Sequence, residues 1–398
     1  MGRMGFFCNY TFHKPCNYNC KISFFVVSGK PTQTSNSEST KTKNQLIFVL
    51  RFFLFLISVM KGKNTARLFY IDVIRGWAIV IMVLANSAPY VMQEPYPFWF
   101  RLISSFAAPV FIALSGYMIG LKTNQTSNKK LIVRGLLVVL AAISIDVFIW
   151  KLMPFQSYDV LYIIGFSIVL SPFLLKLNRL HTIALMLFIF ASAFVLQYVF
   201  CYTLRSLDSG FSFENMSIIF HSARALLLDG WFPVLPWLGF FVAGMYLSRF
   251  GFAVRNTNKL LYGCILSLVF AASSVLIYFQ YRPLREAYGE LFYPADLYYC
   301  TAAFSILALL ALNARAFRAT MFEPVSWLGR SSLFFYILHL AVISYGIASI
   351  HELLGANIWL SMAAFFISLS ILGWVLQQYK KTRLWQKTPY VFRFLLGS

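Results

Sequence analysis

The sequence predicts an all-α polytopic integral membrane protein with about ten transmembrane helices and both ends in the cytoplasm. Three observations carry that reading. Of 398 residues, 59% are hydrophobic and only 12% charged, where soluble chains carry about a quarter charged residues. The apolar residues gather into segments near the ~20 residues that a helix needs to cross a bilayer. The basic residues between those segments are rich and poor by turns, as sidedness in a membrane requires.

The segments run over about 73–91, 99–121, 131–150, 160–175, 182–201, 232–249, 260–280, 296–312, 332–350 and 357–376. The fourth is short. Each is read as a helix because a backbone in lipid must satisfy its own polar groups. Placing the start of the first segment in the cytoplasm puts 20 basic residues in the inner connections and six in the outer ones. An even number of spans fits that asymmetry, and one helix more or fewer would scramble it. Position therefore accounts for the net charge of +21. No zinc-finger spacing, arginine-rich tail or basic helix accompanies the excess, so the expected partner is the lipid bilayer and not nucleic acid.

Residues 1–60 differ from the rest. A polar run over 29–45 precedes the apolar LIFVLRFFLFLISVM of 46–60, which is too short to span comfortably and contains Arg51. The expectation is a poorly ordered or mis-annotated extension, a native start at Met60, and a transmembrane domain over 61–398. Cys8, Cys16 and Cys20, with His13 among them, lack the paired spacing of a zinc site, so no metal is read there.

Polar groups inside lipid need a partner or a task. Asp72 and Arg75, spaced i, i+3, share one helix face at the inner mouth of the first span. They read either as an interfacial anchor or, with Lys130, Arg134 and Arg330, as a cationic mouth suited to phosphate. Asn86 falls roughly 20 Å along the same helix. Asp146 reaches a similar depth within LLVVLAAISIDVFIW, where pairing with Lys151 is the structural alternative. His339, in SLFFYILHL, is either a hydrogen-bonded core residue or a general base. The longest outer loop, 202–231, carries His221 among acidic and basic residues and is long enough to hold a substrate. LPWLG, over 235–239, predicts an irregular start to the sixth span, and Gly239 and Gly244 predict close helix packing.

Residues 67–76, Arg-x-x-x-Ile-Asp-x-Ile-Arg-Gly, resemble the opening signature of transmembrane acyltransferases, nearest to the heparan-alpha-glucosaminide N-acetyltransferase catalytic-domain family. APVFIALSGY (108–117), Arg134-Gly135, FPVLPWLGFFVAG (232–244) and LGRSSLFFYILH (328–339) follow in the family's order, covering about 67–345. The resemblance implies acetyl-CoA as a cytosolic donor substrate, no tightly bound cofactor, and transfer to a sugar amine or hydroxyl of a carbohydrate acceptor across the membrane. It implies a multi-pass protein, expected in a bacterial inner (plasma) membrane. Asp72 and Arg75 belong to the signature and His339 closes the last motif. Asn86 stands where relatives of the wider superfamily carry His or Asn. The first outer loop, MQEPYPF, has no histidine, where the mammalian enzymes carry a functional one.

These readings converge on an acyltransferase with a buried site near spans one, three and nine. His339 or His221 takes the acceptor's proton, Asn86 donates to the oxyanion and Asp146 orients a partner. Asp72, Arg75, Lys130, Arg134 and Arg330 hold the donor. The rivals are a transporter or flippase for a lipid-linked sugar, which paired inverted repeats would favour, and a non-catalytic scaffold or sensor.

Overall fold

The computed structural model describes residues 69–92, 96–121, 126–199, 226–227, 230–250, 258–281, 295–313, 322–355 and 357–397. The expectation for residues 1–60 and the loop bearing His221 lie outside them. Every described element is helical. We number them α1 (Phe69–Val91), α2 (Phe98–Ser105), α3 (Ala107–Leu121), α4 (Asn128–Ile145), α5 (Val160–Leu174), α6 (Arg179–Val199), α7 (Val234–Phe250), α8 (Lys259–Tyr281) and α9 (Leu297–Leu312). There follow α10 (Glu323–Arg330), α11 (Ser332–Tyr345), α12 (Ile347–Leu353), α13 (Ile358–Lys380), α14 (Arg383–Lys387) and α15 (Tyr390–Leu395).

Each of the ten apolar segments overlaps helix among the described residues, but they are not equivalent. Six are long and apolar enough to cross a membrane, counting α2–α3 and α4 with its terminal turn as one each. A seventh arises if α10 and α11, bent by 89° between Arg330 and Ser332, form one span. Helices α5, α7 and α9 are apolar but shorter.

Side-chain placement follows the solvent these helices meet. Trp237, Phe240 and Phe241 are buried in the core, whereas Phe148, Phe188, Leu260, Leu268 and Phe279 are exposed. A bundle with large apolar side chains on its outside is built for hydrocarbon, because water would drive those faces together.

Small residues set the tightest crossings. Helices α3 and α7 pack lengthwise, and a Cβ added at Gly116 would lie 2.0 Å from the Phe241 carbonyl oxygen. The relation is reciprocal, with Gly244 1.8 Å from Ala113 O in the same sense. Gly239 lies under the Phe190 ring. LPWLG begins α7 irregularly, with Leu235 at φ −101°, ψ 118° and a cis Leu235–Pro236 bond. On the other side of the bundle α10 lies across α1, and a Cβ at Gly329 would fall 1.8 Å from Asp72 O. That contact seats Arg330 beside Asp72, and the bend after it turns α11 into the core with His339.

Candidate active site

The core of the site is a pair from opposite ends of the described chain. Asn86 Nδ2 on α1 lies 3.0 Å from His339 Nε2 on α11. His339 Nδ1 lies 3.0 Å from the Phe335 carbonyl oxygen, one turn back on its own helix. A carbonyl only accepts, so Nδ1 carries the proton and Nε2 is left to accept from the Asn86 amide. The imidazole is fully buried, and this arrangement fixes its neutral tautomer with the basic nitrogen pointed at α1. An amide NH2 has a second N–H, so Asn86 can hold the ring and still donate elsewhere.

A second polar group sits one helical turn away. The Tyr336 ring meets the His339 ring edge-on at 5.3 Å. Its hydroxyl donates to both oxygens of Asp159, at 2.8 and 2.7 Å. Asp159 also caps α5, accepting from Val160 N at 2.6 Å. Ser157 Oγ accepts from Asp159 N at 3.2 Å and donates to Asp146. Asp146 takes a further bond from the Tyr162 hydroxyl at 2.6 Å. All five side chains are buried. Asp146 is thus bonded to Ser157 and Tyr162, and Lys151, its alternative partner by sequence, is exposed. Asp146 makes no direct bond to Asn86 or His339; Ser157, Asp159 and Tyr336 lie between them.

The loop that delivers Ser157 and Asp159 is locally strained. Asp146 opens a π turn, Asp146–Trp150, a wide geometry often found beside functional groups. Lys151, Phe155 and Tyr158 then adopt φ of 55°, 63° and 48°, left-handed values that cost L-residues roughly 1–2 kcal/mol each. Burial lifts the Asp159 carboxyl to about 6, against the opposing Tyr336 and Val160 hydrogen bonds and with the Asp146 charge adding to the rise.

The other cluster lies at the start of α1. Arg330 Nε sits 3.6 Å from Asp72 Oδ2. Arg75 is within electrostatic reach of Asp72 and Arg134, and Lys380 of Asp72 and Arg330. The Arg134 guanidinium lies over the Phe394 ring, 5.6 Å from its centre. Lys130 stands exposed one turn before Arg134. Asp72 and Asn86, 14 positions apart on α1, are separated by about 21 Å along the axis. The sequence reading missed Tyr336, Asp159, Ser157 and Lys380. Tyr336 carried a signal in its i−3 spacing from His339, and Asp159 in its position as an acid opening a short apolar helix.

A lipid-facing helical bundle with a buried Asn–His pair and a basic end defines a polytopic membrane protein with its polar site inside the bundle. The model of one family, described as heparan-alpha-glucosaminide N-acetyltransferase, catalytic, matches residues 67–283. That is more than half of the chain, and the chain belongs to this family of membrane acyltransferases. The match takes in Asp72, Arg75, Asn86, Arg134, Asp146 and Asp159 and ends before Arg330, Tyr336 and His339. No curated protein matches the chain.

Proposed function

We propose that this protein moves an acetyl group from cytosolic acetyl-CoA to a sugar amine or hydroxyl of a glycan on the far side of a bacterial inner membrane. The observation that carries the reading is the separation of its two polar centres. A basic cluster suited to phosphates lies about 21 Å along α1 from the Asn86–His339 pair. A donor whose reacting carbon is far from its phosphates fits that spacing, and a phosphopantetheine thioester is such a molecule.

In this reading Asn86 yields His339 Nε2 to the incoming acceptor. The acceptor's nitrogen or oxygen attacks the thioester carbon as Nε2 takes its proton. Asn86 N–H donates to the carbonyl oxygen as it becomes an oxyanion. The C–S bond then breaks, and the thiolate recovers the proton from His339 to leave as free CoA. Arg75, Arg134 and Arg330 hold the phosphates, with Lys130 at the rim and Asp72 positioning Arg330, because guanidinium groups bind phosphate oxygens in pairs. His221, outside the described residues, remains the other candidate base.

The test uses purified protein in sealed vesicles, with radiolabelled acetyl-CoA on the basic side and amino-sugar-terminated oligosaccharides on the other. The expected result is labelled saccharide from wild type, and at least ~100-fold less from His339→Gln at equal folded protein. Transfer unaffected by that substitution but lost in His221→Gln would move the base to the outer loop. No transfer and no CoA binding by wild type would overturn the reading.

A further inference from the structure

We propose that the C-terminal segment, Arg383–Gly397, completes a phosphate site at the basic end of the bundle, with Lys380 and Arg393 as ligands to the anion. The inference rests on the proposed donor reading only for the identity of the phosphate ester, and it uses residues beyond the family match.

Arg75, Arg330 and Lys380 each interact with Asp72, and Arg134 interacts with Arg75; Asp72 is the one carboxylate that the described residues bring to them. Four cations to one acid, all partly buried, is an arrangement that repels itself unless an anion joins it. Salt-bridge pairing alone would have matched the signs.

The C-terminal segment is seated on the same cluster. Lys380 Nζ donates to Ser331 Oγ at 2.9 Å and to Gly397 O at 3.2 Å. A Cβ at Gly397, which has φ +87°, would lie 2.0 Å from Arg330 O. Phe394 is buried beneath Arg134. This segment is therefore fastened to Lys380 and Arg330, both beside Asp72, and to Arg134.

Arg393 Nε and Gln377 Nε2 are buried with no hydrogen-bond partner. Gln377 is i, i+3 from Lys380 on α13, which puts the two on one face, and Arg393 adjoins Phe394, the ring that lies against Arg134. A buried donor left without a partner destabilises the fold. Both are donors only at the atoms in question, and an anion satisfies donors and charge together. The chemistry named is a phosphate or diphosphate oxyanion, supplied either by a soluble ester or by a lipid headgroup.

The experiment measures binding by calorimetry to the full chain in nanodiscs, using CoA, inorganic pyrophosphate and unphosphorylated pantetheine as probes. Lys380→Met and Arg393→Gln are each expected to weaken CoA and pyrophosphate at least tenfold and to leave pantetheine unchanged. Wild-type hydrogen exchange over residues 377–397 should slow when pyrophosphate is added, a readout that does not depend on a variant folding. Nanodiscs with and without phosphatidylglycerol distinguish the sources. Competition by that lipid would assign the site to a headgroup, and its absence to the soluble ester. Wild type that binds CoA, with both variants binding as tightly and no change in exchange, overturns this inference while leaving the donor reading intact. Wild type that binds pyrophosphate through these residues but not CoA supports the anion site and sinks the donor reading instead.

Discussion

Asn86 and His339 stand 253 positions apart in the chain and 3.0 Å apart in space. Their contact gives the imidazole a defined tautomer, because the Phe335 carbonyl claims Nδ1–H and the Asn86 amide claims Nε2. Asn86→Ala should lower the turnover of acyl transfer roughly 10²-fold, the scale of one lost oxyanion donor. The donor KM should move little, since the residues proposed to hold the phosphates lie at the other end of α1. Steady-state kinetics with varied acetyl-CoA checks it, and a change confined to KM would remove Asn86 from the chemistry.

Tyr336→Phe deletes the hydroxyl that donates to both oxygens of Asp159. The carboxyl stays buried with Val160 N as its remaining partner here, so a loss of roughly 1–3 kcal/mol is expected. Unfolding in detergent micelles would show it as a lower midpoint. The double variant with Asp159→Asn should lose less than the two single losses summed, because the residues share one interaction.

The same carboxyl gives a pH signature. Burial raises Asp159 from 3.8 to about 6. The folded state therefore holds a proton that the unfolded chain has released between those values. Its stabilising contribution is complete below about pH 3.8 and is lost as pH rises through about 6, after which it is level. Measuring stability against pH from 4 to 7 for wild type and Asp159→Asn should show a falling limb in wild type that the variant lacks. Identical slopes would mean the carboxyl is hydrated in the membrane-bound protein.

Gly329→Ala would place a methyl group 1.8 Å from the Asp72 carbonyl oxygen. Helix α10 must then lift from α1, at a cost of roughly 1–3 kcal/mol, and Arg330 must move away from Asp72. Weaker CoA binding is expected with Asn86 and His339 still in contact. Calorimetry at the donor end, beside turnover at saturating donor, separates those effects; unchanged binding would show that Arg330 is not needed there.

Lys151→Gly should stabilise. Lys151 is exposed and holds φ 55°, a conformation glycine adopts without steric cost. A gain of roughly 0.5–1 kcal/mol is expected, seen as a higher unfolding midpoint. A loss would mean that the lysine side chain serves the loop in a way its exposure conceals.

The sequence by itself determined the class of this protein and where its helices lie. Hydrophobic runs of bilayer length leave the backbone little alternative to helix, and each of the ten segments overlaps helix among the described residues, six or seven of them long and apolar enough to span. It also marked Asn86 and His339, since a polar side chain in an apolar run is costly enough to stand out in composition alone, and it set Asp72 and Arg330 at the basic inner mouth. What only the tertiary structure decided is which of these meet. Asn86 faces His339 because α11 turns inward after an 89° bend that no local pattern announces. Arg330 reaches Asp72 because two backbones touch where glycine leaves room. Asp159 and Tyr336 looked ordinary, one an outer acid and the other one tyrosine among 22. Their pairing comes from a strained loop packed against a distant helix. Periodicity and burial cost are local properties of a chain, whereas the crossing of two helices is set by side chains far apart in sequence, and that is where the site is made.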